Sequence, residues 1–354
     1  LLNRSSDLAY FQAAQAFLEA NSFETIRHAL CRQLHYNVET PDIKEIRICL
    51  QKHGEFYHPA RIETVIYQKQ LSLVLNVAIS ETGRRFIEAE FHILNRLNSE
   101  QPLQYLPQAY GFGRAVSNGR NFAMFLGQWF EGHHEFHISI DPIDKRPKIM
   151  VWDDARSRFF LSAEQTQILY AQVSKILTGY YNLESFEQIF SWHHAAGDFI
   201  LKIEDRKLEL RLITVRRYAT IFENQQRIQH APGDPQRILQ ALLIFFLSLS
   251  IHTRLDRLDG IGEMVWSDSI AVEPTLIGFL EALSTKPDVP LLPDSPLACF
   301  MAYLASCAEG DLMDLAAAIV NRLNPQMPGL KVIEENIRSH VEALCAAIQQ
   351  ILAS

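Results

Sequence analysis

The residues best suited to chemistry lie in the stretch FSWHHAAGDFILK, which runs from Phe190 to Lys202. His193, His194 and Asp198 stand there in front of a run with the composition of a strand. A histidine titrates near neutral pH and can accept a proton, and an aspartate can bind a divalent cation. The small residues between them leave room for a ligand. Two interpretations stay open: an altered active site, or a capped turn whose histidines bond to backbone carbonyls.

A second polar cluster, EGHHEFH, supplies His133, His134, Glu135 and His137. Histidines four residues apart can share a metal when the segment is helical. Gly132 and the following ISIDP favour an extended segment instead, so a solvated loop is the prediction. In an extended segment His133, Glu135 and His137 share one face, so a weak metal site remains an alternative.

Composition restricts the class of protein to which the chain can belong. Of its 354 residues, 48% are hydrophobic and 21% are charged, which is typical of a globular chain. The net charge of −8 argues against nucleic-acid binding, since the basic residues form no long tract. Five cysteines without a CxxC pair predict reduced thiols in a cytoplasmic protein. The longest apolar run, Ala241–Ile251, is shorter than the roughly 20 residues that span a bilayer. It therefore predicts a buried helix and no transmembrane segment.

The first 130 residues predict a sheet with one internal helix. Residues 1–35 show helical spacing of apolar positions and predict one or two helices. Ile46, Ile48 and Leu50 then alternate with polar residues, as in a half-buried strand. Two more strands follow before a helix over Arg84–Asn98, and two further strands flank the turn Ser117-Asn118-Gly119.

The rest of the chain predicts a largely helical region. A polar hairpin is expected near 140–160, Ser162 is expected to cap a helix, and a hairpin is expected after Asp198. From Asp234 onward the chain reads as helices separated by prolines. The predicted class is α+β with two lobes. The expected domains are a helical extension (1–40), an N-terminal lobe (41–130) and a helical C-terminal lobe (131–354).

This order of elements resembles the protein-kinase-like fold of small-molecule and lipopolysaccharide-type kinases. NVAIS is similar to the strand that carries the kinase lysine, with Ser80 at the lysine position. EAEFHILNRLN resembles the helix whose glutamate pairs with that lysine, which makes Glu90 the equivalent glutamate. WHHAAGDFIL resembles the catalytic loop, with His193 as the base and Asp198 as the metal ligand. LRLITVRRY places Thr214 where the second metal-binding aspartate would stand.

The departures from the kinase pattern decide the predicted function. Phosphoryl transfer depends on Mg²⁺, a lysine and a catalytic aspartate, and neither Ser80 nor Thr214 supplies the missing charge. Only Gly54 stands where the glycine-rich loop would cover phosphates. Glu90, without its lysine, is expected at the surface or in an ion pair with Arg216 or Arg217. Ser80, Glu90, Thr214 and Arg216 are then the residues expected around any bound cofactor or anion.

Three functions follow from these residues. The first is a pseudokinase, a binding or regulatory module for a small anionic ligand or a protein partner. The second is an active phosphotransferase that uses Mg·ATP, with His193 as base and Asp198 as metal ligand, acting on a sugar, a lipid or another small hydroxylated substrate. The third is a structural interaction protein, for which an exposed apolar patch near Val332, Ile337, Val341 and Leu344 would count.

Overall fold

The chain has an α+β fold, as the sequence predicts. A computed structural model describes residues 4–51, 54, 56–101, 103–153, 158–190, 197–205, 207–220 and 234–353. These residues contain eight α-helices, and the main sheets are antiparallel. The chain divides into two compact units. Unit 1 comprises the described residues up to Gly132 together with Thr214–Arg217, and unit 2 comprises the remainder.

Unit 1 is built on a five-stranded antiparallel sheet with two helices. The strand order is β1-β2-β3-β5-β4, and the second helix lies in the chain between β3 and β4. The elements are α1 (Arg4–Leu34), β1 (Ile43–Leu50), β2 (His58–Ile66), β3 (Lys69–Ala78), α2 (Glu81–Glu100), β4 (Ala109–Ser117) and β5 (Arg120–Gln128). The region is therefore rich in sheet, and five strands and one internal helix follow α1.

The two helices of unit 1 cover opposite faces of this sheet. Met124 and Leu126 of β5 belong to the apolar core that α1 shares with β2 and β3. Phe125, between them, instead lies 6.1 Å from the ring of Phe91 on α2. Because successive side chains of a strand point to opposite faces, α1 and α2 must pack on different sides. Each face of the sheet is therefore covered by one helix.

The N-terminal helix belongs to the core of unit 1. Ala20–Phe23 leave the helical conformation, with positive φ from Asn21 to Phe23, so α1 consists of two helical segments. A side chain at Gly113 of β4 would meet the ring of Phe17 at 2.6 Å, which shows how closely α1 approaches the sheet. The described part of the predicted N-terminal extension therefore belongs to the packed core of unit 1.

Unit 2 combines short antiparallel sheets with most of the helices. Its sheets are β6-β7-β8, β10-β11, β12-β9 and β13-β14. The elements are β6 (Glu135–Ile140), β7 (Pro147–Trp152), β8 (Phe159–Phe160), α3 (Ala163–Gly179), β9 (Glu187–Phe190), β10 (Phe199–Glu204), β11 (Lys207–Leu212), β12 (Arg217–Thr220, which begins at the last residue of unit 1), α4 (Pro235–His252), β13 (Leu255–Arg257), β14 (Met264–Trp266), α5 (Val272–Ser284), α6 (Pro296–Ser306), α7 (Glu309–Val320) and α8 (Leu330–Ala353).

The predicted helix start at Ser162 and the predicted core helix are both present in unit 2. Ser162 accepts a hydrogen bond from the backbone N–H of Gln165, whose side chain in turn accepts from the N–H of Ser162. Helix α4 contains the apolar run Ala241–Ile251. Among the described residues it is the one helix long and apolar enough to cross a bilayer, and 61% of it is buried inside the protein.

The C-terminal helix does not present the apolar patch that the sequence suggested. Val341 and Leu344 of α8 are fully buried, and Val332 and Ile337 are partly buried. These positions therefore contribute to the core of unit 2. A protein-binding function based on their exposure loses its support.

Candidate functional site

Glu90 lies on the buried face of α2 in unit 1. The helix begins at Ser80, whose hydroxyl accepts a hydrogen bond from a backbone N–H of the first turn at 3.0 Å. Glu90 shares its buried face with three apolar residues, Ile87, Leu94 and Leu97. It is 1% exposed, so it is not the surface carboxylate that the sequence suggested. A carboxyl buried in this way requires hydrogen-bond partners, because burying it without them costs several kcal/mol.

Three groups supply those partners. The Thr214 hydroxyl donates to Glu90 Oε1 at 2.6 Å, and the backbone N–H of Val215 donates to the same oxygen at 2.7 Å. The Tyr57 hydroxyl lies 2.6 Å from Glu90 Oε2 and 2.9 Å from the Thr214 hydroxyl. The three side chains of Glu90, Tyr57 and Thr214 therefore form a closed ring, which we call the Glu90 ring.

Both oxygens of the Glu90 carboxyl accept hydrogen bonds in this ring. The Tyr57 hydroxyl donates to Oε2, and the Thr214 hydroxyl and the Val215 N–H donate to Oε1. The contact between the Tyr57 and Thr214 hydroxyls closes the ring. The buried carboxyl is therefore fully bonded by groups of unit 1.

Burial raises the pKa of Glu90 above its ordinary value of 4.5, although hydrogen bonds from Thr214, Tyr57 and Val215 and the charge of Arg216 oppose the rise. Burial also raises the pKa of the Tyr57 phenol well above 10.0. Both shifts favour a neutral ring. A buried Glu90 whose two oxygens are both bonded is a structural group and is not free to pair with a lysine.

The segment before β2 folds against α2 and carries Tyr57 into the ring. The Phe56 ring packs edge-on against Phe86 of α2, with 5.0 Å between their centroids. Gly83 of α2 lies so close that a Cβ there would meet the Phe56 carbonyl oxygen at 2.2 Å. Only glycine fits this approach. Phe56, just before β2, is therefore in close contact with α2.

The other predicted site residues have separate surroundings. Ser80 is exposed and serves as the cap of α2. Arg216 belongs to unit 1 and acts on Glu90 through its charge. Asp198 belongs to unit 2 and is 4% exposed, and its backbone carbonyl accepts from the N–H of Ile213 at 2.9 Å. His193 and His194 lie outside the described residues. The structure thus unites Glu90 with Thr214 and Arg216 in one unit.

Two of the three histidines near β6 are buried, and His134 is partly exposed. The side chains of His133 and His137 are each only 7% exposed, which corrects the prediction of a solvated loop. Each histidine approaches a different carboxylate: His133 approaches Glu209 at 3.9 Å, His134 approaches Asp153 at 3.6 Å and His137 approaches Asp256 at 3.2 Å. No group of three metal-ligating side chains occurs in the part of the chain that the structure describes. The extended conformation is present from Glu135, where β6 begins.

Tyr57 is the site residue that sequence reasoning missed. It precedes β2, in a segment where glycines were expected, and no spacing or motif links it to Glu90 or Thr214. Tyr57 lies 33 positions from Glu90 and 157 positions from Thr214 in the chain. Only the fold brings them together. An unexpected aromatic residue in a segment expected to be rich in glycine was the one available signal.

A search for relatives gives a negative result: no protein-family model and no curated protein matches the chain. Function is therefore inferred from the residues of the site themselves.

Proposed function

We propose that the chain is a kinase-like protein with two lobes whose nucleotide site is lost, and that it acts as a non-catalytic binding or regulatory module. Unit 1 supports the resemblance through its element order: three antiparallel strands, one helix and two further strands. Unit 2 supports it through its helical content. The five cysteines are free thiols, which fits a cytoplasmic location.

The Glu90 ring is the observation that carries the proposal. In the resemblance, a lysine at Ser80 would pair with Glu90, and a carboxylate at Thr214 would bind metal. Here Ser80 caps α2, while Thr214 donates to Glu90. Each of these positions is used to hold unit 1 together. A buried carboxyl whose oxygens already accept these hydrogen bonds is not free to orient a lysine or to bind Mg²⁺.

The segment before β2 argues in the same direction. A loop that covers phosphates needs backbone N–H groups free to turn toward the ligand. Phe56 and Tyr57 instead pack against α2 and into the Glu90 ring. Opening this segment for a nucleotide would break the contacts of a buried carboxyl. We therefore assign unit 1 a binding role, with a protein partner or a small anionic ligand as the expected partner class.

A thermal-shift titration tests the loss of nucleotide binding. Wild-type protein is titrated with Mg·ATP and Mg·GTP, each with an EDTA control, and Asp198→Ala is titrated in parallel. A ligand at about a hundred times its Kd stabilises a protein by about 2.7 kcal/mol, which corresponds to several degrees. We expect no shift with either nucleotide. A magnesium-dependent shift that Asp198→Ala abolishes would overturn the proposal in favour of a phosphotransferase.

A pair of variants tests the structural role of Thr214. Thr214→Val keeps the shape of the side chain and removes its donor to the buried carboxyl. Thr64→Val is the matched control, because Thr64 is a buried threonine of the same unit whose hydroxyl donates to a neutral backbone carbonyl. We expect Thr214→Val to lower the free energy of unfolding by about 2–3 kcal/mol and Thr64→Val by about 1 kcal/mol. Equal losses, or a stable Thr214→Val, would contradict the role assigned to the ring.

A further inference from the structure

Unit 1 contains a cavity of about 680 Å³ whose lining residues do not belong to the Glu90 ring. Its walls come from the end of α1, the beginnings of β3 and β4, and the residues that follow β5. This volume lies within the range of small-molecule sites, which is about 300–1,000 Å³. The cavity is formed by residues of unit 1 alone, so its chemistry can be inferred from that unit.

Arg61 is held in a fixed position at one wall of the cavity. Its Nε donates to Ser72 Oγ at 3.0 Å, and its terminal nitrogen donates to Glu131 at 3.2 and 3.3 Å. The guanidinium also lies over the ring of Trp129, at 5.2 Å from the ring centroid. A side chain fixed from three directions loses little entropy when a ligand binds. Arg61 therefore presents a preorganised planar donor beside an aromatic ring.

Amide side chains dominate the remaining polar wall. Gln70, Gln108 and Gln128 line the cavity, and Gln33 donates to the Tyr110 hydroxyl at 3.3 Å. Gln128 Oε1 accepts from the backbone N–H of Gln108, which leaves its NH₂ group to donate. Amides offer a donor and an acceptor in one plane, which is the pattern that vicinal hydroxyl groups can match.

The charges of the wall are nearly balanced. Arg61 is paired with Glu131 at 3.2 Å and with Glu63 at 3.6 Å, so its charge is largely neutralised. Arg32 is the remaining cationic side chain at the end of α1, and it is exposed to solvent. Nucleotides and other polyphosphates need several converging cations or a metal. The balance favours a ligand that is rich in hydroxyl groups and carries little charge.

We propose that this cavity binds a saccharide. Trp129, whose ring also contacts the Arg61 guanidinium, and Tyr110 are the aromatic side chains against which the C–H face of a pyranose ring would pack. The amides of Gln70, Gln108 and Gln128 and the fixed guanidinium of Arg61 bind its hydroxyl groups. The proposal rests on the residues of the cavity and does not require the kinase resemblance. It gives unit 1 a ligand of a class different from a nucleotide.

Saturation-transfer NMR with a defined panel tests the site. The panel contains neutral hexoses, N-acetylhexosamines and their disaccharides, with a uronic acid, a sugar phosphate, inorganic phosphate and adenosine as comparisons. We expect saturation of the ring protons of at least one neutral saccharide and none of adenosine. The Kd of that saccharide should rise about fivefold to tenfold in Gln70→Ala, where an exposed amide is removed. Arg32→Ala should leave the Kd within twofold, since the neutral ligand does not need that charge.

Gln15→Ala is the matched control, because Gln15 is an exposed glutamine on α1 that does not line the cavity. It should bind the saccharide as the wild type does. If no saccharide of the panel shows saturation, or if Gln70→Ala binds as tightly as Gln15→Ala, the proposal is overturned. Binding of phosphate or of the acidic sugars alone, abolished by Arg32→Ala, would also overturn it and make the cavity an anion site. None of these outcomes depends on whether the Glu90 site binds a nucleotide.

Discussion

Lowering the pH should destabilise unit 2 through one buried histidine, His340 on α8. Its side chain is fully buried, and the guanidinium of Arg254 donates to Nδ1 at 3.1 Å. Nε2 therefore carries the proton and donates to Ser250 Oγ at 3.0 Å, and Ser250 donates in turn to the carbonyl of Leu247 at 2.9 Å. Trp266 packs edge-on against the imidazole. A second proton on this ring would face the Arg254 cation in a fully buried site.

The size of the effect follows from the pKa of His340. Burial, and next the charge of Arg254, lower it from 6.5 to about 3. A folded pKa below the unfolded pKa means that the unfolded chain takes up the proton first. The contribution of neutral His340 to the free energy of unfolding is complete above pH 6.5 and is lost as the pH falls toward 3. A pH of 5 lies about 1.5 units below the unfolded pKa of 6.5. Protonation of the unfolded chain at that pH therefore lowers the free energy of unfolding by about 2 kcal/mol.

Urea unfolding from pH 8 to pH 5, followed by near-ultraviolet circular dichroism, measures this loss. His340→Gln has no titrating group at the position, so its stability should fall by about 2 kcal/mol less than that of the wild type. His92→Gln removes an exposed histidine of α2 and should keep the wild-type profile. NMR of the histidine ring protons gives an independent readout, because the His340 signals should not titrate above pH 5. A wild-type profile that His340→Gln reproduces, or a His340 signal that titrates near pH 6.5, would refute the reasoning.

Other perturbations have equally definite outcomes. Glu90→Gln should fold, because the amide oxygen can accept from Thr214 and the amide NH₂ group can donate to the Tyr57 oxygen. Because burial raises the pKa of Glu90, its stabilising contribution is complete below pH 4.5 and is lost as the pH rises through the pKa of the folded state. In urea titrations the wild type should therefore weaken with rising pH relative to Glu90→Gln, and parallel profiles would contradict the raised pKa. Gly278→Ala should lower the melting temperature strongly, because its Cβ would meet the backbone oxygen of Ala171 at 1.9 Å. A Cβ at Gly310 would have no atom within 4 Å, so Gly310→Ala should raise the free energy of unfolding by about 0.5–1 kcal/mol in the same calorimetric series. Equal effects of the two substitutions would refute the close contact of Gly278 on α5 with Ala171 on α3. Ser162→Ala removes the cap of α3 and should cost about 1 kcal/mol by urea unfolding, and no loss would show that the cap is dispensable.

Local patterns were sufficient to predict most elements of the fold. The alternation at Ile46, Ile48 and Leu50 predicts β1, because a half-buried strand must repeat every two residues. The capping pattern at Ser162 predicts the start of α3, because the hydrogen bonds lie within one turn. Asn118 and Gly119 both have positive φ, as a two-residue hairpin turn requires. Each of these predictions depends on neighbours in the chain.

The environment of the candidate site could not be predicted in the same way. Glu90 was expected at the surface or in an ion pair because its lysine is missing, yet it occupies a position on the buried face of α2. Its partners Tyr57 and Thr214 are distant in sequence. The histidines near β6 were expected in solvent because polar side chains dominate loops, yet His137 packs against Trp152. Pairings between distant segments decide these environments, and no local pattern encodes them.

Unit 1 is not formed by one continuous stretch of the chain, so its parts are synthesised at different times. Thr214–Arg217 join unit 1 only after 81 residues of unit 2 have followed Gly132. A nascent chain that ends at Gly132 contains Glu90 and Tyr57 but lacks Thr214 and Val215, which donate two of the hydrogen bonds to that carboxyl. The N-terminal unit therefore reaches its final stability only after residue 217 has left the ribosome. Until then, its sheet exists with a buried acid that is incompletely bonded.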